Sequence, residues 1–253
     1  MSGVEQLFSQ ILAQGFAGLL ANLTSAYVQA PSRKIRNDED TIKTDLRDHL
    51  DATFRKCTKV KTILSDETSN TLEIYVDQSF EVRHSDVDQY SMIDQIRDGN
   101  STIILGAGGG GKSMFMRYLW LSYFEKSDGK IPFFLELRNI NSLSHKSFED
   151  FIYHTIVKSG SAIRQQDFRA SLKAGEIILF LDGFDEINFD RRDAVQERIL
   201  ELHDNNPNLT IVVTSRSDER FIGWHGFTVA RVMPLSRDNS RLLIERAERL
   251  ALD

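Results

Sequence analysis

The sequence predicts an α/β fold: a parallel sheet joined by crossover helices, preceded by a smaller, mainly helical N-terminal region. Three observations carry this. From Ser101 onward, short apolar runs bounded by turns ("TIILG", "IPFFLEL", "EIILFLD", "TIVVTS", "FTVARVM") alternate with helical stretches, the pattern of strands buried on both faces. The first run leads through "GAGGGGKS" into a helical stretch, "KSMFMRYLWLSYF". The third ends on an acid, Asp182, followed by a glycine and two further acids, Asp185 and Glu186. The change of period near residue 95 divides the chain into an N-terminal region, 1–94, a main domain, 95–235, and the first helix of a further unit, 236–253.

From Gln6 to Ser32 there is no charged residue. Val4, Leu7, Phe8, Ile11, Leu12, Phe16, Leu19, Leu20 and Leu23 recur at helical spacing, which predicts an amphipathic helix. Gln10, Gln14 and Asn22 interrupt it too often for a membrane span, and Glu5 replaces the basic start of a signal peptide. Packing on its own domain or on a partner protein is the favoured reading. The basic flank "PSRKIR" keeps membrane contact or self-association as the alternative. Next, "DEDTIKTDLRDHLDATFRKC" places Ile42, Leu46, Leu50 and Phe54 every four residues, as a helix does. "TLEIYVDQSFEV" alternates as a strand, and "SDVDQYSMIDQIRDGN" reads as helix again.

Charge narrows the partners. With 31 Lys+Arg against 37 Asp+Glu, a net charge of -6 provides no global basic field to hold nucleic acid. The single cysteine, Cys57, excludes an internal disulfide, and the six histidines show no metal-ligand spacing. Both fit a reducing, cytoplasmic setting.

"GAGGGGKS" matches G-x-x-x-x-G-K-[ST], with Gly106, Gly111, Lys112 and Ser113 in the defining places. Backbone N–H groups that must turn inward around phosphate oxygens need conformations and close approaches that a Cβ obstructs. Ala107, Gly108, Gly109, Gly110 and Met114 complete the expected nucleotide-binding set. The following helix presents its positive end to the same anion. Lys112 is placed to bridge the β- and γ-phosphates, and the Ser113 hydroxyl to ligate Mg²⁺.

A Mg-nucleotide site also needs a carboxylate at the end of a neighbouring strand. "EIILFLDGFDEI" supplies it, with Asp182 as the expected Mg²⁺ residue. Gly183 allows a turn after which Asp185 or Glu186 orients the attacking water or accepts its proton. Capping of the next helix is the structural alternative for either acid. The run "LTIVVTSRSDER" ends in Thr214, Ser215 and Arg216; if that strand lies between the phosphate-loop strand and the one ending at Asp182, its tip faces the terminal phosphate and Arg216 senses it. Proximity in sequence assigns the adenine to "IYVDQSFEV" and to the helix from Met92 to Ile96.

Taken together, "GAGGGGKS", "PFFLELR", "FLDGFDEI" and "VVTSR" resemble a NACHT domain of the STAND class of P-loop ATPases, over about residues 95 to 235. "LDGFDE", Leu181 to Glu186, is the most specific element. The resemblance implies a P-loop NTPase sheet of order 5-1-4-3-2 that binds ATP or ADP with Mg²⁺ and hydrolyses ATP slowly. It also implies homo-oligomerisation on activation by a ligand the sequence does not identify, in innate immune or antiphage defence, with residues 1–94 as effector or adaptor. The short tail after "VMPLSRDNS" reads as a helical module cut off in its first helix, which makes a fragment the expectation. An AAA-type motor or a small-molecule kinase is the alternative function; no basic groove or acceptor-binding lid supports it. No N-K-x-D guanine motif occurs, so GTP is not expected.

Overall fold

The computed structural model describes residues 49–61, 68–125, 130–142, 147–157 and 163–252. The expected helix over 4–23 and the first part of the expected helix over 38–57 lie outside these residues. Residues 49–58 are helical, with Leu50 and Cys57 buried. A two-stranded ribbon of β1 (Lys59–Lys61) and β2 (Thr68–Asn70) follows.

The stretch expected to form one strand over 71–82 divides in two. Asn70 caps a helical turn, Thr71–Ile74, by accepting from the Leu72 amide, and pairing starts only at β3 (Ser79–Val82). A tight turn through Arg83 and His84, φ 50 and 65, leads to β4 (Ser85–Asp88). Ser85–Asp88 was expected to be helical; it is a strand because its backbone pairs antiparallel with β3. The helix α1 (Gln89–Arg97) starts one residue later, capped by the Asp88 carboxylate on the Tyr90 and Ser91 amides.

The five apolar runs form β5 (Thr102–Leu105), β6 (Ile131–Glu136), β7 (Ile177–Asp182), β8 (Thr210–Ser215) and β9 (Thr228–Val232). Between them lie α2 (Lys112–Glu125), α3 (Phe148–Ile156), α4 (Gln165–Ala174) and α5 (Phe189–Asn205); α6 (Arg237–Leu252) follows β9. The sheet has seven strands in the order β4-β3-β9-β5-β8-β7-β6. Its five parallel members, counted along the chain from β5, read 5-1-4-3-2. The expected parallel order is therefore present, and the β3–β4 hairpin extends it into a mixed sheet by adding antiparallel to the free edge of β9. Those two strands come from before residue 95.

Every residue of β5 and β8 is buried, as are the first five of β6 and β7, which is why these runs are continuously apolar rather than alternating. Phe115, Met116, Leu119, Trp120 and Tyr123 of α2 are all fully buried, and the Trp120 indole N–H donates to the Pro132 carbonyl at 3.0 Å. The parallel arrangement carries the C-terminal ends of β5, β6, β7 and β8 to one edge of the sheet, where ligands sit in open α/β folds. No described helix is long and apolar enough to cross a membrane.

Candidate nucleotide site

The glycine loop crosses that edge from β5 to α2. Gly109 and Gly111 have φ +75 and +88, a region that disfavours any side chain. A Cβ on Gly111 would also stand 3.2 Å from the Gln78 amide group. The loop is tied to β8 by the Gly106 N–H on the Ser215 carbonyl at 3.3 Å, and turns on the Gly110 N–H to Ala107 carbonyl bond at 3.1 Å. The Lys112 ammonium donates to the Gly106 and Ala107 carbonyls, each at 2.9 Å, so it spans the loop it follows. Burial, the largest influence, holds its pKa below the ordinary lysine value; Asp185 and Asp182 push upward and Arg216 downward.

Asp182 ends β7 beside the start of α2. The Ser113 hydroxyl donates to its Oδ1 at 3.1 Å, although the two residues are far apart in the chain. The same oxygen accepts from the Thr214 hydroxyl at 2.5 Å, and Thr214 Oγ1 in turn accepts the Gly183 N–H at 2.8 Å. Gly183, at φ +80, turns the chain into the helical turn Phe184–Glu186. One hydroxyl and one carboxylate of hard oxygen suit Mg²⁺, which takes its remaining ligands from phosphates and water. Among the described residues no group of three or more His, Cys, Asp or Glu side chains could hold a metal by itself.

Of the two acids after Gly183, Asp185 is engaged. Its carboxylate meets Arg216 twice, Oδ2 against Nε at 3.0 Å and Oδ1 accepting the backbone N–H at 3.1 Å. Strand β8 lies between β5 and β7, the condition placed on Arg216, and the Arg216 guanidinium is 3.7 Å from where a Gly108 Cβ would be. Glu186 keeps 54% of its side chain exposed, 3.9 Å from Arg138, while its carbonyl accepts from Asn141 at 3.0 Å.

On the other side of the loop, a cavity of about 500 Å³ is lined by Ala107–Gly111, Met114, Ile74–Val76, Gln78, Val232–Leu235 and Leu243. Its size and apolar character suit a planar heterocycle. Gln89, itself buried, organises one wall: its Oε1 accepts from the Tyr75 hydroxyl at 2.6 Å and the Gln78 N–H at 3.1 Å, and its amide donates to Asp77 at 2.8 Å. The Tyr75 ring stacks on Tyr118 at 4.2 Å. Helix α6 grips the same wall, with Asn239 donating to the Asp77 carbonyl at 2.9 Å and Arg246 to the Tyr75 carbonyl.

The structure thus brings Gly106 to Met114, Asp182, Asp185, Glu186 and Arg216 to one edge. Of the two segments expected near the adenine, the first part of "IYVDQSFEV" lines the cavity; Met92 and Ile96 do not, being fully buried in the core. The sequence places Thr214 at the strand tip but carries no signal for its bond to Asp182, nor for the ion pairs that Lys56, Glu136 and Arg138 form beside Glu186. Glu136 is the register partner of Asp182 on β6, a relation that spacing within either run does not reveal. For the wall residues Pro234 and Leu235 the sole signal is their place just after the last apolar run.

A family model described as "NACHT domain" matches residues 100–249. No curated protein matches. Among solved structures, Cdc6p from Pyrobaculum aerophilum matches at 17% identity and TM-score 0.41, over 64% of this chain and 48% of that one. PCH-2 from C. elegans matches at 17% identity and TM-score 0.33, over 58% of this chain and 41% of that one. The aligned part is less than half the length of either structure.

Proposed function

The chain belongs to the NACHT domain family, and from that premise we propose that it binds ATP and ADP with Mg²⁺ as a slowly hydrolysing switch. The observation that carries this is the Ser113 hydroxyl lying 3.1 Å from the Asp182 carboxylate, because it joins the phosphate loop to an acidic strand tip. The amides from Gly108 to Lys112 surround the β- and γ-phosphates. Lys112 exchanges its bonds to the Gly106 and Ala107 carbonyls for phosphate oxygens, which carry more negative charge. Ser113 and Asp182 hold Mg²⁺, which neutralises charge on the phosphates when bound. Thr214 keeps Asp182 in place.

Since Asp185 is engaged by Arg216, Glu186 is the acid left to orient the attacking water and take its proton. Arg216, anchored by Asp185 above Gly108, reads the terminal phosphate. Adenine occupies the cavity between Val76 and Pro234. Differential contact with ATP and ADP then shifts the chain between a closed monomer and a signalling homo-oligomer, in a cytoplasmic immune or antiphage role. In this reading 95–235 is the nucleotide-binding unit, 1–94 the effector or adaptor, and 236–253 the start of a helical unit.

Calorimetry tests it. Wild-type protein should bind ATP with Mg²⁺, and Lys112→Ala should lose at least about a hundredfold in affinity, as expected for removing a charge-assisted phosphate contact. Full-strength binding by that variant would remove the basis for the assignment.

A further inference from the structure

At the tip of the sheet, four charged side chains run in sequence from the N-terminal region to Glu186. Lys56 Nζ lies 2.8 Å from Glu136 Oε1. Glu136 Oε2 accepts from Arg138 Nη2 at 2.9 Å, and Arg138 Nη1 lies 3.9 Å from Glu186 Oε2. An isolated exposed pair contributes little. Glu136, however, is 15% exposed with both oxygens engaged, so losing one cation leaves a poorly solvated carboxylate that draws on the other.

The first cation belongs to a docked element. Lys56 sits in the helical residues 49–58, held by buried Leu50 and Cys57 and by the edge of His49 against Phe133 at 5.6 Å. Its ammonium also lies 5.8 Å from the Phe134 ring centre. Beyond it, Arg117 of α2 donates to the Lys59 carbonyl at 3.1 Å. At the other end the Glu186 backbone is fixed by Asn141, whose Oδ1 also accepts the Asn188 N–H at 2.9 Å. What remains adjustable is the Glu186 side chain, and Arg138 is the cation beside it.

We propose that Arg138 is a positioning residue for Glu186, and that docking of residues 49–58 sets its place through the Lys56–Glu136 pair, so the N-terminal region controls the rate of ATP hydrolysis. When Lys56 withdraws, Glu136 takes Arg138 for itself and Glu186 loses its orienting cation. This rests on the reading of Glu186 given above.

The test measures turnover and affinity for Mg-ATP on the full chain in wild type, Lys56→Met, Arg138→Met and the double variant. Lys56→Met keeps the stem over Phe134, and Lys56→Arg and Arg138→Lys report on rescue and on the need for the guanidinium fork. Each Met variant should lower kcat about fivefold to tenfold with ATP affinity unchanged. The double variant should fall no further than the worse single one, because coupled residues are not additive. Lys56→Arg should restore the rate and Arg138→Lys should not. Multiplying losses, unchanged kcat, or an equal loss of affinity would overturn the relay while the nucleotide assignment stands. A wild-type protein that binds no ATP would remove both.

Discussion

Thr214 does two things with one hydroxyl. It donates to Asp182 Oδ1 and accepts the Gly183 N–H, at 2.5 and 2.8 Å, from a buried position. Thr214→Val keeps the shape and removes both bonds, leaving a buried amide unpaired, which costs about 1–3 kcal/mol. Chemical denaturation should show that loss, and ATP binding should need more Mg²⁺ because Asp182 is no longer held. At Gly111 the backbone has φ +88 and the Gln78 amide group closes the space, so Gly111→Ala should abolish ATP binding in a filter or calorimetric assay. The glycine loop, Asp182 and Arg216 are legible in the sequence because each ends or follows an apolar run. Thr214 is legible as part of the same strand tip, but its two bonds exist only where β7 and β8 lie side by side.

The helical residues 49–58 carry a built-in reporter. Cys57 is fully buried, and burial pushes its thiol from 9.0 up to about 12, with Arg117 and Lys56 opposing and Asp182 and Glu136 adding. The folded thiol keeps its proton where the unfolded one gives it up. The stability this confers is complete below pH 9.0 and is lost as the pH climbs from there to about 12. In that window, denaturation should show a loss of about 1.4 kcal/mol per pH unit from this group, and Cys57→Ala should remove that part of the slope. A pH-independent difference between the two proteins would contradict it. Strands β5 to β8 are readable because both faces are buried and the runs stay apolar. The segment 71–78 misleads because its alternation fits a strand, whereas Asn70 caps a helical turn there; Ser85–Asp88 misleads the other way, because it runs directly into the helix that Asp88 caps.

For the molecule as a whole, a ligand that binds the folded chain alone stabilises it by mass action. At a hundredfold excess over Kd, Mg-ATP should add about 2.7 kcal/mol and raise the melting temperature by about 5–10 °C. Light scattering should then show a rise in mass with Mg-ATP and not with ADP; the same mass in both states would argue against a nucleotide-gated assembly. The net charge of -6 keeps copies apart at low ionic strength, so the rise should be easier to see as salt increases. The grip of α6 on the base cavity bears on how such a molecule can change over time. Asn239 and Arg246 hold the main-chain carbonyls of Asp77 and Tyr75, atoms that every amino acid possesses. Drift at position 75, whose side chain lines the cavity, can therefore retune its wall without breaking the mechanical link between it and the last helix.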